Sequence, residues 1–256
     1  MLFLRSLAFY ACMLITTPLV MLLLLICYPL PYPMRFRAGR NWADVTLWTL
    51  RKFCRLDWEF QDLENLPTGP AIVMCKHQSA WETMALQQVV PPHVWILKRE
   101  LLWIPIFGWG LALLDPVGID RSAGLRAMRA VIREGSKRLE KGTWLVVYPE
   151  GTRTAPGEKR SYQPGGGLLA EKTGYPVVPV AHNAGLFWPR ASFIKRPGHI
   201  KCVIGPVIET EGRRAPEIMR DIEAWIETTS EELLSAGDGC TRASAKTTEL
   251  PETVER

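Results

Sequence analysis

The chain has 256 residues, which is enough for one sizeable α/β domain with a membrane attachment and too few for two large domains. Its formal charge is +5 and its pI is near 8.9, with Lys and Arg interspersed among Asp and Glu. Nucleic-acid-binding proteins concentrate their positive charge in patches, so no nucleic-acid partner is predicted. This modest excess of positive charge is explained more simply by an anionic membrane surface or a phosphorylated substrate.

The six cysteines show no paired spacing, and we expect reduced thiols in a cytosol-facing protein. The sequence has no Cys-x-x-Cys and no His-Glu-x-x-His motif. It therefore predicts no metal site.

The N-terminal segment Leu7–Leu30 contains 24 residues without a charge, enough to cross a hydrocarbon core as a helix. It ends without an Ala-x-Ala cleavage site, so we expect residues 1–34 to be retained as a membrane anchor. More Arg and Lys follow the segment than precede it, which predicts that the rest of the chain lies on the cytoplasmic side of the inner (plasma) membrane. Pro18 leaves an interfacial hairpin open as an alternative to a straight span.

Residues 35–65 are predicted to be a basic amphipathic interfacial segment, with a helix over residues 42–58. On a helical wheel Arg51, Lys52 and Arg55 share one arc, and apolar residues fall largely opposite. An ordinary amphipathic helix packed on the domain explains the same pattern.

Strand-like apolar runs then alternate with helical patterns, which predicts a three-layer α/β domain over residues 66–235, with helices on both faces of a mostly buried mixed sheet. Helices are predicted over Ser122–Lys141, stopped by Gly142, and from Pro216 onward. The polar tail, residues 236–256, is predicted to be disordered. The predicted strands are Ala71–Lys76, His93–Lys98, Val117–Asp120, Trp144–Tyr148, Val177–His182 and Lys201–Ile204.

The first candidate site is the stretch from Lys76 to Glu82, between a predicted strand and a predicted helix. His77 can act as a general base if a carboxylate holds its other ring nitrogen, and Glu82 is the candidate partner. Because five residues along one helix would separate the two side chains by about 140°, the pairing requires His77 to lie outside the helix. Alternatively, Ser79 and Glu82 form a capping box in which Glu82 only bonds the Ser79 N–H.

The second candidate site is Tyr148–Arg153, where an apolar strand runs into a charged turn that contains Gly151. The glycine allows close backbone approach to a ligand, and the Arg153 guanidinium suits phosphate. A solvated loop is the alternative. There is no Gly-x-Ser-x-Gly motif, so direct transfer is favoured over a serine acyl-enzyme.

Further cations, Lys98, Arg99 and Arg121, follow two more predicted strands and are either ligand-binding or solvated. Between them, Leu101–Leu114 is uncharged and too short to span a bilayer. It is interpreted as a core helix, an acyl-chain groove or a membrane-dipping surface.

Taken in order, these segments resemble the glycerolipid acyltransferase family over roughly Leu66–Pro206. His77 and Glu82 match its His-x4-Asp block with Glu in place of Asp, and Tyr148–Arg153 contains its Pro-Glu-Gly-Thr-Arg block. Gly118–Arg121 and Val177–Pro179 match its second and fourth blocks.

The resemblance implies that His77 deprotonates an acceptor hydroxyl, which attacks the thioester of acyl-CoA or acyl carrier protein, and that Glu82 orients His77. Lys98, Arg121 and Arg153 would hold the acceptor's phosphate. The turn of Glu150, Gly151 and Thr152 belongs to the same predicted phosphate site, and His182 is a further candidate for its wall. The implied acceptor is 1-acyl-sn-glycerol 3-phosphate, and no cofactor beyond the thioester co-substrate is expected.

Three alternatives stay open at this point. The acceptor can be another lysolipid, such as lyso-ornithine lipid. The protein can also be a non-catalytic lipid-binding adaptor at an anionic membrane. A membrane-bound hydrolase is disfavoured, because neither a nucleophile elbow nor metal ligands are present.

Overall fold

A seven-stranded mixed sheet forms the centre of the computed structural model, which describes residues 1–246, with side chains through residue 236. The strand order is β1-β7-β6-β2-β5-β3-β4, and all neighbours are parallel except β6 and β7. This confirms the predicted fold class. The strands are β1 Leu56–Gln61, β2 Ile72–Cys75, β3 His93–Lys98, β4 Val117–Ile119, β5 Trp144–Val147, β6 Val177–His182 and β7 Gly198–Ile204.

Helices cover both faces of the sheet because successive strand residues point to opposite sides. Val73 and Cys75 pack in the core beneath α2 and α3, whereas Ile72 and Met74 pack in the core beneath α5, α6 and α7. The helices are α1 Leu2–Ile26, α2 Tyr32–Cys54, α3 Trp81–Val89, α4 Phe107–Ala112, α5 Leu125–Glu140, α6 Gly165–Thr173 and α7 Ala215–Lys246.

The helix predicted over residues 42–58 is wrong at both ends. It begins at Tyr32, and it ends at Cys54 because Arg55 adopts a left-handed conformation (φ 55°). From Leu56 to Gln61 apolar and polar residues alternate, which is the period of a strand, and β1 forms there beside β7. The boundary predicted at residue 66 therefore falls inside the packed domain, since α2 and β1 already share its core.

Helix α1 is the helix among the described residues that is long and apolar enough to cross a membrane. It packs against α2 and α4 and keeps many apolar side chains exposed. Close to its start, Ser6 accepts the Lys195 N–H at 2.9 Å and Phe9 lies edge-on to Trp188. Close to its end, Leu24 is buried beside Gly110. Both ends of the helix thus contact the domain.

The disordered tail predicted from residue 236 does not begin there, because α7 continues to Lys246. The rest of that tail, residues 247–256, lies outside the described residues. The predicted end of the helix before Gly142 agrees with the structure: α5 ends at Glu140, and Gly142 (φ 78°) follows its C-cap residue Lys141, as expected for a glycine that stops a helix.

We expect Leu50→Ala to lower the free energy of unfolding by about 2–5 kcal/mol, because this side chain on α2 is fully buried in the domain core. Val45→Ala on the same helix is the control: Val45 is 45% exposed, and its change should stay within about 0.5 kcal/mol. Chemical unfolding in detergent measures both values. Equal effects would contradict the packing of α2 on the domain.

Candidate active site

His77 lies between β2 and α3, outside the helix, as the predicted pairing requires. Its Nδ1 is 2.8 Å from Glu82 Oε1. The same carboxylate oxygen accepts the backbone N–H groups of Gln78 (3.0 Å) and Ser79 (2.9 Å). The two sequence interpretations are therefore compatible, because Glu82 caps the turn before α3 and pairs with the imidazole at once.

The Glu82 carboxylate is fully buried, and its charge is compensated by its surroundings. Burial acts to raise the pKa of Glu82, but His182, His77 and the Ser79 N–H outweigh it and hold the pKa below its ordinary value. An ionised Glu82 favours the tautomer in which His77 Nδ1 carries the proton. Nε2 is then left as the basic nitrogen of the ring.

His182 is a buried, hydrogen-bonded histidine behind Glu82 rather than a wall of the cavity beside His77. Its Nε2 lies 2.8 Å from the Lys76 carbonyl oxygen, to which it donates, and its Nδ1 accepts the Ala184 N–H at 3.2 Å. Burial lowers the pKa of His182. The His182 Nε2 lies 3.8 Å from Glu82 Oε2, which is beyond hydrogen-bond distance.

Residues that follow β5 contact both the backbone and the ring of His77. Glu150 Oε1 accepts the His77 N–H at 3.1 Å, and the Thr154 N–H donates to the His77 carbonyl at 2.8 Å. The Tyr148 ring stacks on the imidazole, with ring centres 4.1 Å apart and planes inclined by 21°. Thr154 was missed as a site residue, although it directly follows the matched Pro-Glu-Gly-Thr-Arg block, and Tyr148 lay within the second candidate site without an assigned role.

The three predicted phosphate-binding cations line one cavity of about 300 Å³ together with His77. Lys98 is the last residue of β3, and Arg121 and Arg153 lie in the loops after β4 and β5, at the same edge of the sheet. Lys98 pairs with Glu100 at 3.6 Å, with half of its side chain exposed. The Arg121 guanidinium donates to the Gly151 carbonyl.

The remaining residues of the predicted phosphate site occupy a different position. Glu150, Gly151 and Thr152 line an adjoining cavity of about 430 Å³ that shares Arg121 and Tyr148 with the first. Gly151 has φ 70°, a conformation that side-chain-bearing residues rarely adopt, and it turns the loop. The Glu150 carboxylate is buried against the His77 backbone, and burial raises its pKa.

Away from His77 the first cavity is apolar. The segment Leu101–Leu114 is not a core helix, because Trp103 and Trp109 are more than half exposed, while Leu101 and Leu114 line the cavity. Helices α1, α3 and α4 contribute the other apolar walls, among them Met13, Val20, Met21, Leu24, Ala80, Met84, Ile106, Phe107 and Leu111.

We expect the stability difference between wild type and Glu82→Gln to shrink in acid. The native pKa of Glu82 lies below its unfolded value of about 4.3, so its stabilisation is complete above that value and is lost as pH falls through the native pKa. Chemical unfolding at several pH values from 7 to 3 measures the difference.

Glu150→Gln is the contrasting variant, because the native pKa of Glu150 is raised. The wild-type stability relative to this variant should fall as pH rises through that pKa, which is the opposite trend. If the stability difference between wild type and variant changed with pH in the same direction for Glu82→Gln and Glu150→Gln, the opposite pKa shifts of these two carboxyls would be contradicted.

The Acyltransferase family model matches residues 57–183. The 1-acyl-sn-glycerol-3-phosphate acyltransferase of Pseudomonas aeruginosa is 42% identical over 208 residues, which is 80% of this chain and 81% of the relative. The enzyme of that name from Cocos nucifera is 28% identical, covering 86% of this chain and 71% of its own.

A solved structure shows the same fold. The crystal structure of the 1-acyl-sn-glycerophosphate (LPA) acyltransferase from Thermotoga maritima is 24% identical, with a TM-score of 0.74, over 90% of this chain and 95% of that one. The identity and coverage of the Pseudomonas relative show that this chain belongs to the 1-acyl-sn-glycerol-3-phosphate acyltransferase family.

Proposed function

We propose that this protein transfers a fatty acyl group from acyl-CoA or acyl carrier protein to the 2-hydroxyl of 1-acyl-sn-glycerol 3-phosphate, giving phosphatidic acid for phospholipid synthesis. The observation that carries the proposal is the buried His77–Glu82 pair, 2.8 Å apart, at a cavity that has cations at one part of its wall and apolar side chains at the other. The names of the relatives agree with it.

In the proposed reaction His77 Nε2 removes the proton of the acceptor hydroxyl as that oxygen attacks the thioester carbonyl. Glu82, bonded to Nδ1, stabilises the imidazolium that forms. The tetrahedral intermediate collapses by breaking the C–S bond, and the imidazolium returns its proton to the departing thiolate. The products are the ester and the free thiol of the carrier, and no acyl-enzyme forms.

Substrate positioning follows from the amphipathic cavity. Arg153, Arg121 and Lys98 bind the acceptor phosphate, and an acyl chain lies along the apolar walls from α1, α3 and α4. Guanidinium groups match phosphate oxygens in paired hydrogen bonds, so the phosphate fixes the hydroxyl beside His77.

Membrane association places the enzyme where its acceptor is. We propose that α1 lies along the membrane surface instead of crossing it, because both of its ends are docked on the domain at Ser6, Phe9 and Leu24. Its exposed apolar side chains then enter one leaflet, and we place the domain on the cytoplasmic side because more Arg and Lys follow the apolar segment than precede it.

We expect His77→Ala to abolish acyl transfer, because none of the other described residues that line the cavity carries an imidazole or a carboxylate to take the hydroxyl proton. Purified protein in vesicles is incubated with labelled acyl-CoA or acyl carrier protein and a panel of lysolipids. His199→Ala is the control, since His199 is an exposed histidine on β7 that pairs with Glu59.

The panel separates the alternatives. Label in phosphatidic acid supports the proposal, and label in another lysolipid product, including acylated lyso-ornithine lipid, changes the acceptor. Release of free fatty acid indicates a hydrolase. Full activity of His77→Ala, or no transfer from either donor, would contradict the proposal and favour the adaptor.

We expect Arg153→Ala to lower kcat/KM for 1-acyl-sn-glycerol 3-phosphate about 10- to 100-fold, the range for a lost hydrogen bond to a charged group, chiefly by raising KM. Arg160→Ala is the matched control in the same loop, where Arg160 pairs with Glu158 at the surface. Steady-state kinetics over acceptor concentration gives both constants. An unchanged KM would remove Arg153 from the phosphate site.

A further inference from the structure

A buried ionic cluster connects the C-terminal helix α7 to the loop that holds His77. Lys76 precedes His77 and is almost fully buried, and its Nζ lies 2.5 Å from Glu227 on α7 and 3.6 Å from Glu150. The Tyr162 hydroxyl donates to the same Glu227 oxygen at 2.9 Å. The Lys76 ammonium therefore contacts one carboxylate in the loop after β5 and one on α7, both far from it in sequence.

We propose that Glu227 is a positioning residue for the acyl-transfer reaction, acting through Lys76 and Glu150 on His77. The proposal rests on the proposed function for its kinetic consequence only. Glu227 touches neither His77 nor the cavity that contains it, so it has no direct part in the chemistry.

The carboxylates of Glu150 and Glu227 compete for the Lys76 ammonium. Glu150 Oε1 accepts the His77 N–H, so this oxygen fixes the backbone of the base. Glu227 holds Lys76 Nζ at the shorter distance and leaves Glu150 free for that bond. If Glu227 loses its charge, Glu150 becomes the nearest carboxylate, and the ammonium is drawn towards it.

Burial makes this competition strong. The Glu150 side chain is fully buried, and its Oε2 has no hydrogen-bond partner among the described residues, so an incoming ammonium finds an open acceptor there. Movement of Glu150 towards Lys76 pulls its carboxylate from the His77 N–H. A displacement of the base by about 1 Å is enough to slow an enzyme about 100-fold.

Tyr162 fixes the orientation of the Glu227 carboxylate. Burial raises the pKa of Tyr162, so its hydroxyl remains a donor at every pH at which the enzyme works. The Glu227 carboxylate is thus held from two sides, by the Lys76 ammonium and by a neutral donor in the loop before α6.

The test is Glu227→Gln, which keeps the shape of the side chain and removes its charge. We expect kcat to fall about 10- to 100-fold with KM for the acceptor little changed. We also expect faster hydrogen exchange in the peptide that contains the His77 amide. Glu231→Gln, one turn further along α7, is the control: Glu231 pairs with Lys159 at 2.5 Å on the surface, and its loss should change neither quantity.

The double variant Lys76→Met/Glu227→Met separates positioning from folding. Replacing both members of a buried ion pair by apolar residues usually preserves stability. We therefore expect a thermal transition near that of wild type, with kcat and exchange at His77 restored towards wild type, because no ammonium remains to draw Glu150 from the His77 N–H. If Glu227→Gln does not fold, the double variant still tests the proposal, since a low kcat in a folded double variant contradicts it.

Two results overturn the proposal. One is wild-type kcat and wild-type exchange in Glu227→Gln, and the other is a double variant that folds like wild type but keeps a low kcat and fast exchange at His77, because the Lys76 ammonium is then not what displaces Glu150. If wild type itself transfers no acyl group, the proposed function fails, and the exchange measurement still decides whether Glu227 fixes the His77 backbone.

Discussion

The structure of the site depends on the burial of one carboxylate. Glu82 is completely removed from solvent, and a charge in that position is tolerable only if its surroundings compensate it. One oxygen accepts two backbone N–H groups and faces His77 Nδ1, and the other faces His182. These contacts fix the turn between β2 and α3, and the same contacts aim the imidazole at the cavity.

Strand order explains why residues far apart in the sequence meet there. The strands β2, β5, β3 and β4 are neighbours and parallel, so the loops that follow them emerge at one edge of the sheet. His77 follows β2, Glu150 and Arg153 follow β5, and Arg121 follows β4. Lys98 is the last residue of β3. On the other side of β2, strand β6 ends at His182, which lies behind Glu82.

Local patterns predicted the parts of this arrangement that have local causes. The apolar runs of β3 and β6 were predicted with the bounds observed, and the Ser79-x-x-Glu82 pattern marked a capped turn. The strand β1 was missed because its alternating pattern was read as the end of a helix. Glu227 lies 151 residues from Lys76, and nothing near either residue indicates the pairing, because only the packing of α7 on the sheet creates it.

Helix α1 also forms part of the wall of the cavity that contains His77, through Met13, Val20, Met21 and Leu24. An acyl chain in that cavity is shielded from water only while α1 is docked, and exposing the chain costs about 0.8 kcal/mol for each methylene group. The same helix presents its other side chains outward for lipid. In the proposed binding mode, membrane attachment and acyl-chain binding therefore share one element, and the polar edge of the sheet supplies the cations and the base beside the headgroup of the acceptor.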